Sequence, residues 1–249
     1  MHISLIAEKI FTIAGWPITN SLLTAMIVVG VLTVVSVVAW RRFTLVPNML
    51  QSSFELLIEQ FLDVMDSVLG DRHKSEKYLP IIVTIFLFVM FSNWFGLLPG
   101  VGPIGLMEHG AVGEHDRLVP IFRAPSADLN FTIGLAIISI LSVNILGVLA
   151  IGFWKHMSKF FTLKNPIYTF VGLLEFVSEF VKIISFSFRL FGNVFAGEVL
   201  LTIVGFLVPY VVPLPFLFLE VFVGMIQAFI FAMLTLVFVA MATSEETAH

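Results

Sequence analysis

The residues of this chain best suited to chemistry are charges set among apolar neighbours. Between residues 168 and 208 stand Glu175, Glu179, Lys182, Arg189 and Glu198, and the next apolar stretch carries Glu220 and Gln227. An ionisable side chain within a membrane helix costs about 2.5–3.5 kcal/mol on insertion scales, so such residues mark ion paths or partner contacts. Glu175, Glu179 and Lys182 stand near the start of their segment, where a long side chain can snorkel to the interface cheaply. Arg189, Glu198 and Glu220 are flanked on both sides by apolar residues and have no such escape.

At about 100° per residue, Arg189 and Asn193 share a helix face, with Lys182 and Glu175 close to it. Glu198 is nine residues beyond Arg189. That places it about 180° around the helix and ~13 Å along it, so the two are no intrahelical ion pair. The turn Val208–Pro215 then reverses the chain. In the resulting antiparallel hairpin Glu220 falls near the level of Glu198 and Gln227 nearer Arg189. Carboxylates that share a low-dielectric site exchange protons near neutral pH, as a proton path requires. Arginine keeps its charge, so Arg189 suits a fixed barrier better than a relay.

The elements that must position these residues are membrane helices. Hydrophobic residues make up 59% of the 249 and charged residues 12%, too few to cover a soluble surface. A spanning helix takes about 20 apolar residues. Spans are expected at 21–40, 79–98 and 128–152, followed by longer apolar regions at 168–208 and 214–243. The fold class is therefore an all-α polytopic membrane protein, a single membrane domain over 1–249, its last two helices forming a long tilted hairpin. The region 168–208 amounts to ~60 Å of helix against a hydrocarbon layer of ~30 Å. It either breaks near Gly192 or Gly197 or lies steeply tilted. Residues 47–70 repeat Phe54, Leu57, Ile58, Phe61, Met65 and Leu69 at helical spacing opposite Glu55, Glu59, Asp63 and Asp66, an amphipathic interfacial helix. Its acidic face is covered by a protein partner or solvated.

Arg41 and Arg42 follow the first run, the reverse of a secretory signal, so this run reads as a retained helix. Together with Lys155, His156, Lys159 and Lys164 they mark the cytoplasmic side by the positive-inside rule. The N-terminus is then outside and the tail Ser244–His249 cytoplasmic. The net charge of −4 gives no basis for nucleic-acid binding, and without cysteine no thiolate site exists. Glu108-His109 and Glu114-His115-Asp116 lack helical ligand spacing and read as a solvated outer loop, so no metal or other cofactor is expected. His73 and His156 sit among cytoplasmic-side charges and are assigned no chemistry. No His or Cys lies within the spans, which weighs against a membrane protease. No inverted repeat of the kind found in many secondary transporters is seen.

The run Ser187-Phe188-Arg189-Leu190-Phe191-Gly192-Asn193-Val194-Phe195-Ala196-Gly197-Glu198 resembles the signature of the subunit a family of the F-type ATP synthase membrane sector. Gln227–Phe231, Pro125–Asn130 and the terminal Ser-Glu-Glu fit the same family, in the same order. The resemblance implies a non-catalytic stator subunit that offers two offset half-channels to a rotating ring of c subunits. It also implies peripheral-stalk b subunits and the remaining synthase subunits as partners, in a bacterial inner membrane. Arg189 matches the essential arginine that draws the ring carboxylate into its ionised form. Glu198 and Glu220 match the polar pair of the entry channel, where some relatives carry His at the second position. Asn193 and Gln227 match polar neighbours of the arginine, and Glu175 and Ser185 match the cytoplasmic half-channel. Asp128 matches an acidic residue at the outer mouth. Asn93 matches a polar position of the second span, although Gly96 stands where some relatives have Asp. The choice between H⁺ and Na⁺ rests on the ring subunit.

Overall fold

A computed structural model describes residues 7–13, 16–44, 47–98, 101, 104–108, 117–158, 166–209 and 211–244. A small antiparallel hairpin, β1 (Lys9–Ile13) and β2 (Trp16–Thr19), leads into α1 (Asn20–Arg42). There follow α2 (Met49–Leu69), α3 (Arg72–Phe95), a second hairpin of β3 (Gly105–Glu108) and β4 (Arg117–Pro120), and a 3-10 turn at Pro125–Ala127. The chain continues through α4 (Leu129–Ile151), a short α5 (Phe153–Ser158), α6 (Pro166–Leu207) and α7 (Pro213–Thr243). Among the described residues, five helices are long and apolar enough to cross a membrane: α1, α3, α4, α6 from Thr169 onward, and α7. The two short hairpins carry no sequence signal strong enough to have predicted them.

Helix ends follow local chemistry. Thr19 caps α1 by accepting from the Leu22 amide, and Asp71 caps α3 by accepting from the His73 amide. The Asp71 cap explains why α3 begins seven residues before the expected span, and Gly96 follows its end at Phe95. Pro80 sits inside α3, where it forfeits a backbone hydrogen bond without ending the helix. Gly70 closes α2 at φ 68°, a left-handed conformation that glycine adopts without strain, with its amide bonded to the Asp66 carbonyl. α6 runs unbroken for 42 residues through Gly192 and Gly197, which removes the broken-helix alternative. At ~63 Å it is about twice the ~30 Å hydrocarbon thickness, so it lies oblique to the layer or projects from it.

The core lies where α3, α4, α6 and α7 meet, with Ile82, Val89, Ala136, Ile140, Leu190 and Leu236 among its buried members. α2 docks on this bundle through Phe61, Leu62 and Met65. The Phe61 ring centroid is 4.9 Å from that of Phe86 and 6.1 Å from that of Phe229. Phe54, counted above with the apolar face, is exposed, because the buried apolar residues begin about two turns further on, at Phe61. Part of the acidic face is answered within the chain: Arg72 lies 2.8 Å from Asp66 and 3.6 Å from Asp63. Glu55 and Glu59 remain exposed.

Polar ties cross the apolar bundle. Asn93 of α3 donates to the Gly224 carbonyl of α7 at 2.9 Å, and the neighbouring Trp94 indole donates to the Val221 carbonyl at 3.0 Å. A Cβ on Gly224 would stand only 3.1 Å from that of Asn93, so the missing side chain allows the close approach. Thr132 of α4 and Ser187 of α6 share a buried hydrogen bond of 3.0 Å. Asp128 caps α4 through Oδ1, which accepts from the Asn130 amide, while Oδ2 accepts from the Ser21 hydroxyl of α1 at 2.6 Å. Asp128→Ala removes both bonds. It should destabilise the protein by about 1–3 kcal/mol, the scale of a lost cap and a lost buried hydrogen bond. Thermal unfolding of detergent-solubilised protein checks this, and Ser21→Ala should cost less, because the α4 cap survives it.

Candidate functional site on the paired long helices

The helical period sorts the α6 motif into two faces. Phe186, Ser187 and Leu190 turn inward and are buried, Ser187 against Thr132. Ser185, Phe188, Arg189 and Asn193 turn outward and are exposed. Around them the outer wall of α6 is apolar, with Phe180, Val181, Ile184 and Phe188 each more than half exposed. Among the described residues Arg189 makes no hydrogen bond or ion pair within the chain. It borders a small cleft between α6 and α7 together with Gln227, Phe186 and Leu190. The expectation that Gln227 lies near the level of Arg189 is met.

A second, larger cleft of about 180 Å³ runs along the same face toward the start of α6. Lys182, Ser185 and Arg189 line it, with Leu234 and Phe238 from α7 opposite. Ser185 and Arg189 thus share one groove. Glu175 lies about two turns before Lys182 and is half-buried.

Glu198 looks the other way, as its nine-residue offset from Arg189 requires. It meets Arg123: Nη2 lies 3.2 Å and Nε 3.3 Å from the Glu198 Oε2, and the arginine is only 6% exposed. Arg123 carries no assignment from its sequence position. Its segment folds inward ahead of the 3-10 turn, and its backbone amide donates to Thr24 of α1 at 3.3 Å. The sequence held one hint, an arginine two residues before the Pro125–Asn130 run, but a loop contact over 75 residues leaves no periodic trace.

Glu220 of α7 comes to the same end of the hairpin. Its carboxyl group lies directly against Gly197, so closely that a Cβ there would collide with both carboxylate oxygens. Glycine at 197 is therefore what lets the carboxyl group enter the α6–α7 seam, at the level of the residue before Glu198. Asn93 and Asp128, by contrast, are committed to the helix ties described above, Asn93 to α7 and Asp128 to α1 and α4.

A further polar group escaped the sequence reading. His156, expected among solvated charges, is 3% exposed. Its Nε2 is 3.0 Å from Asn144 Oδ1, and its ring fills the notch left by Gly147, where a Cβ would stand 2.8 Å from Cε1. Asn144 in turn donates to Glu179 at 3.3 Å, and Lys182 donates to Glu179 at 2.6 Å. Lys182 is thus paired inside the bundle rather than extended to the interface. Among the described residues no cluster of three or more His, Asp or Glu could hold a metal. His109 and Glu114–Asp116, weighed as a metal motif, lie outside the described residues, as do Lys159, Lys164 and the tail beyond Ser244.

The family model described as ATP synthase A chain matches residues 21–240. A protein named ATP synthase subunit a from Campylobacter jejuni subsp. doylei is 36% identical over 219 residues, covering 87% of this chain and 86% of its own length. One of the same name from Helicobacter pylori strain Shi470 is 33% identical over 247 residues, covering 97% of this chain and 99% of its own. The chain therefore belongs to the ATP synthase A chain family.

Proposed function

We propose that this chain is the proton-conducting stator subunit of a rotary ATP synthase, non-catalytic in itself, working against a ring of c subunits. One observation carries the reading: Arg189 stands exposed on an apolar helix wall with no counter-charge among the described residues. A guanidinium cannot rest against lipid there without a cost of several kcal/mol, so the wall calls for a partner that presents an acceptor or an anion. A passing ring carboxylate fits that requirement. Its attraction to Arg189 favours the ionised form, and the permanent charge of Arg189 blocks direct proton leakage between the two paths.

Glu198, turned to the opposite side of α6, and Glu220, in the α6–α7 seam, both toward the far end of the hairpin, serve in this reading as the titratable stop of the entry path. Arg123 holds the Glu198 carboxylate in place, and Gly197 makes room for Glu220. Asn193 and Gln227 flank the arginine with groups able to hydrogen-bond a ring carboxylate. The groove of Lys182, Ser185 and Arg189 supports a second path toward the start of α6, with Glu175 beside it. The committed hydrogen bonds of Asn93 and Asp128 favour a framing role at the entry side for those two. The positive charges at Arg41, Arg42 and Lys155 support a cytoplasmic location for the end where α1 finishes and α6 begins, in a bacterial inner membrane with the N-terminus outside. Peripheral-stalk b subunits complete the stator, and the exposed face of α2 with Glu55 and Glu59 is open to such a neighbour.

Reconstituted complex carrying Arg189→Ala should lose ATP synthesis driven by a proton gradient; synthesis at the normal rate would overturn the reading. Glu198→Gln should slow passive proton flux about a hundredfold, the scale of losing a positioned proton-transfer group, while Glu114→Gln changes it little. Gly197→Ala should slow the same flux by displacing Glu220, whereas Gly205→Ala, whose new methyl meets nothing within 4 Å, should not.

A further inference from the structure

Glu179 stands one turn before Lys182, which lines the groove that reaches Arg189, and the geometry around it is that of a latch. Glu179 receives two donors. Lys182 approaches Oε1 at 2.6 Å and Asn144 approaches Oε2 at 3.3 Å. The Asn144 amide is itself fixed, since Nδ2 also donates to the Ile140 carbonyl at 2.9 Å and Oδ1 faces His156 Nε2 at 3.0 Å. Because Oδ1 only accepts, Nε2 of His156 carries the hydrogen. His156 is in turn lodged in the Gly147 notch beside Ala242 of α7. Three helices thus converge to fix one carboxylate, and α7 brings no titratable group to it: its one such residue, Glu220, stands toward the other end.

What that carboxylate holds is Lys182. The ammonium rests 4.7 Å from the Phe238 ring centroid, at the edge of the groove of about 180 Å³. Lys182 and Arg189 are seven residues apart, two turns along one face and ~10.5 Å of rise. A lysine released from Glu179 can swing its flexible stem into the groove and set a second cation between the water side and Arg189. We propose that Glu179 latches the Lys182 ammonium against the wall of this groove and away from its open middle, making the pair a gate on the path to Arg189, with Asn144 and His156 as positioning residues. The gate rests on the proton-conducting reading above, and it assigns these four residues a task in the exit path.

The test is a rescue. In membranes containing the complete complex, passive proton flux per assembled complex is measured for Glu179→Gln and for the double variant Glu179→Gln with Lys182→Met. The single variant should fall about tenfold, equivalent to about 1.4 kcal/mol of added barrier. The double variant should recover to within about twofold of the parent, because the loose cation is gone. A double variant as slow as the single one would overturn the gate, as would an undiminished single variant. Should Glu179→Gln fail to assemble, Asn144→Ala carries the same test, with a smaller fall that Lys182→Met again reverses. Arg189→Ala measured alongside separates the two ideas. Lost synthesis there with an unslowed Glu179→Gln sinks the gate alone, while normal synthesis there sinks the proton-conducting reading itself.

Discussion

The arrangement turns on one unfavourable placement: a permanent cation on the outer wall of an apolar helix. Within a soluble protein an exposed arginine needs no explanation. On α6 it stands between Phe188 and Leu190, with Ile184 and Val181 on the turns before it. The helix therefore cannot be complete as a lipid-facing element at that level. Behind Arg189 the helix is closely packed. Leu190 and Phe186 anchor the inner face in the common core, and Ser187 is tied to Thr132. The backbone that presents the guanidinium is held by packing, whereas the guanidinium itself is held by nothing described in the chain.

Three other charges obey the opposite rule. Glu179 and Lys182 pair with each other one turn apart on α6, while Glu198 and Glu179 also take partners from distant segments: Arg123 from the stretch before α4, and Asn144 from α4, itself bonded to His156 of α5. Small residues make these approaches possible. Gly147 admits an imidazole, Gly197 a carboxylate and Gly224 the side of α3. In a lipid environment, where apolar burial between helices gains little over apolar contact with lipid tails, such close approach and cross-helix hydrogen bonding are what hold neighbours together.

Much of this was legible in the sequence. Span positions came from the length of apolar runs, because ~30 Å of hydrocarbon imposes a length that no other environment does. The opposed directions of Arg189 and Glu198 came from the helical period, and the levels of Glu220 and Gln227 from folding the hairpin at its prolines. Failures cluster where no period operates. Arg123 and His156 lie just outside spans, and charged residues in such places usually are solvated. Only the tertiary fold turns them inward. Asp128 was read as a channel-mouth group on resemblance, while its geometry is first that of a helix cap. α3 outran its apolar run because Asp71 starts the helix in a polar stretch that hydropathy does not register.

The unbroken course of α6 has a consequence beyond its length. Glu179, Arg189 and Glu198 ride on one rod, so their spacing is set by residue count: ten steps, then nine. Each step is ~1.5 Å and about 100°. Deleting a single residue between them would swing one group a quarter-turn or more out of register and draw it closer, while leaving hydropathy and composition almost untouched. The helix acts as a ruler, and the offset between the two ends of the site is written in its numbering.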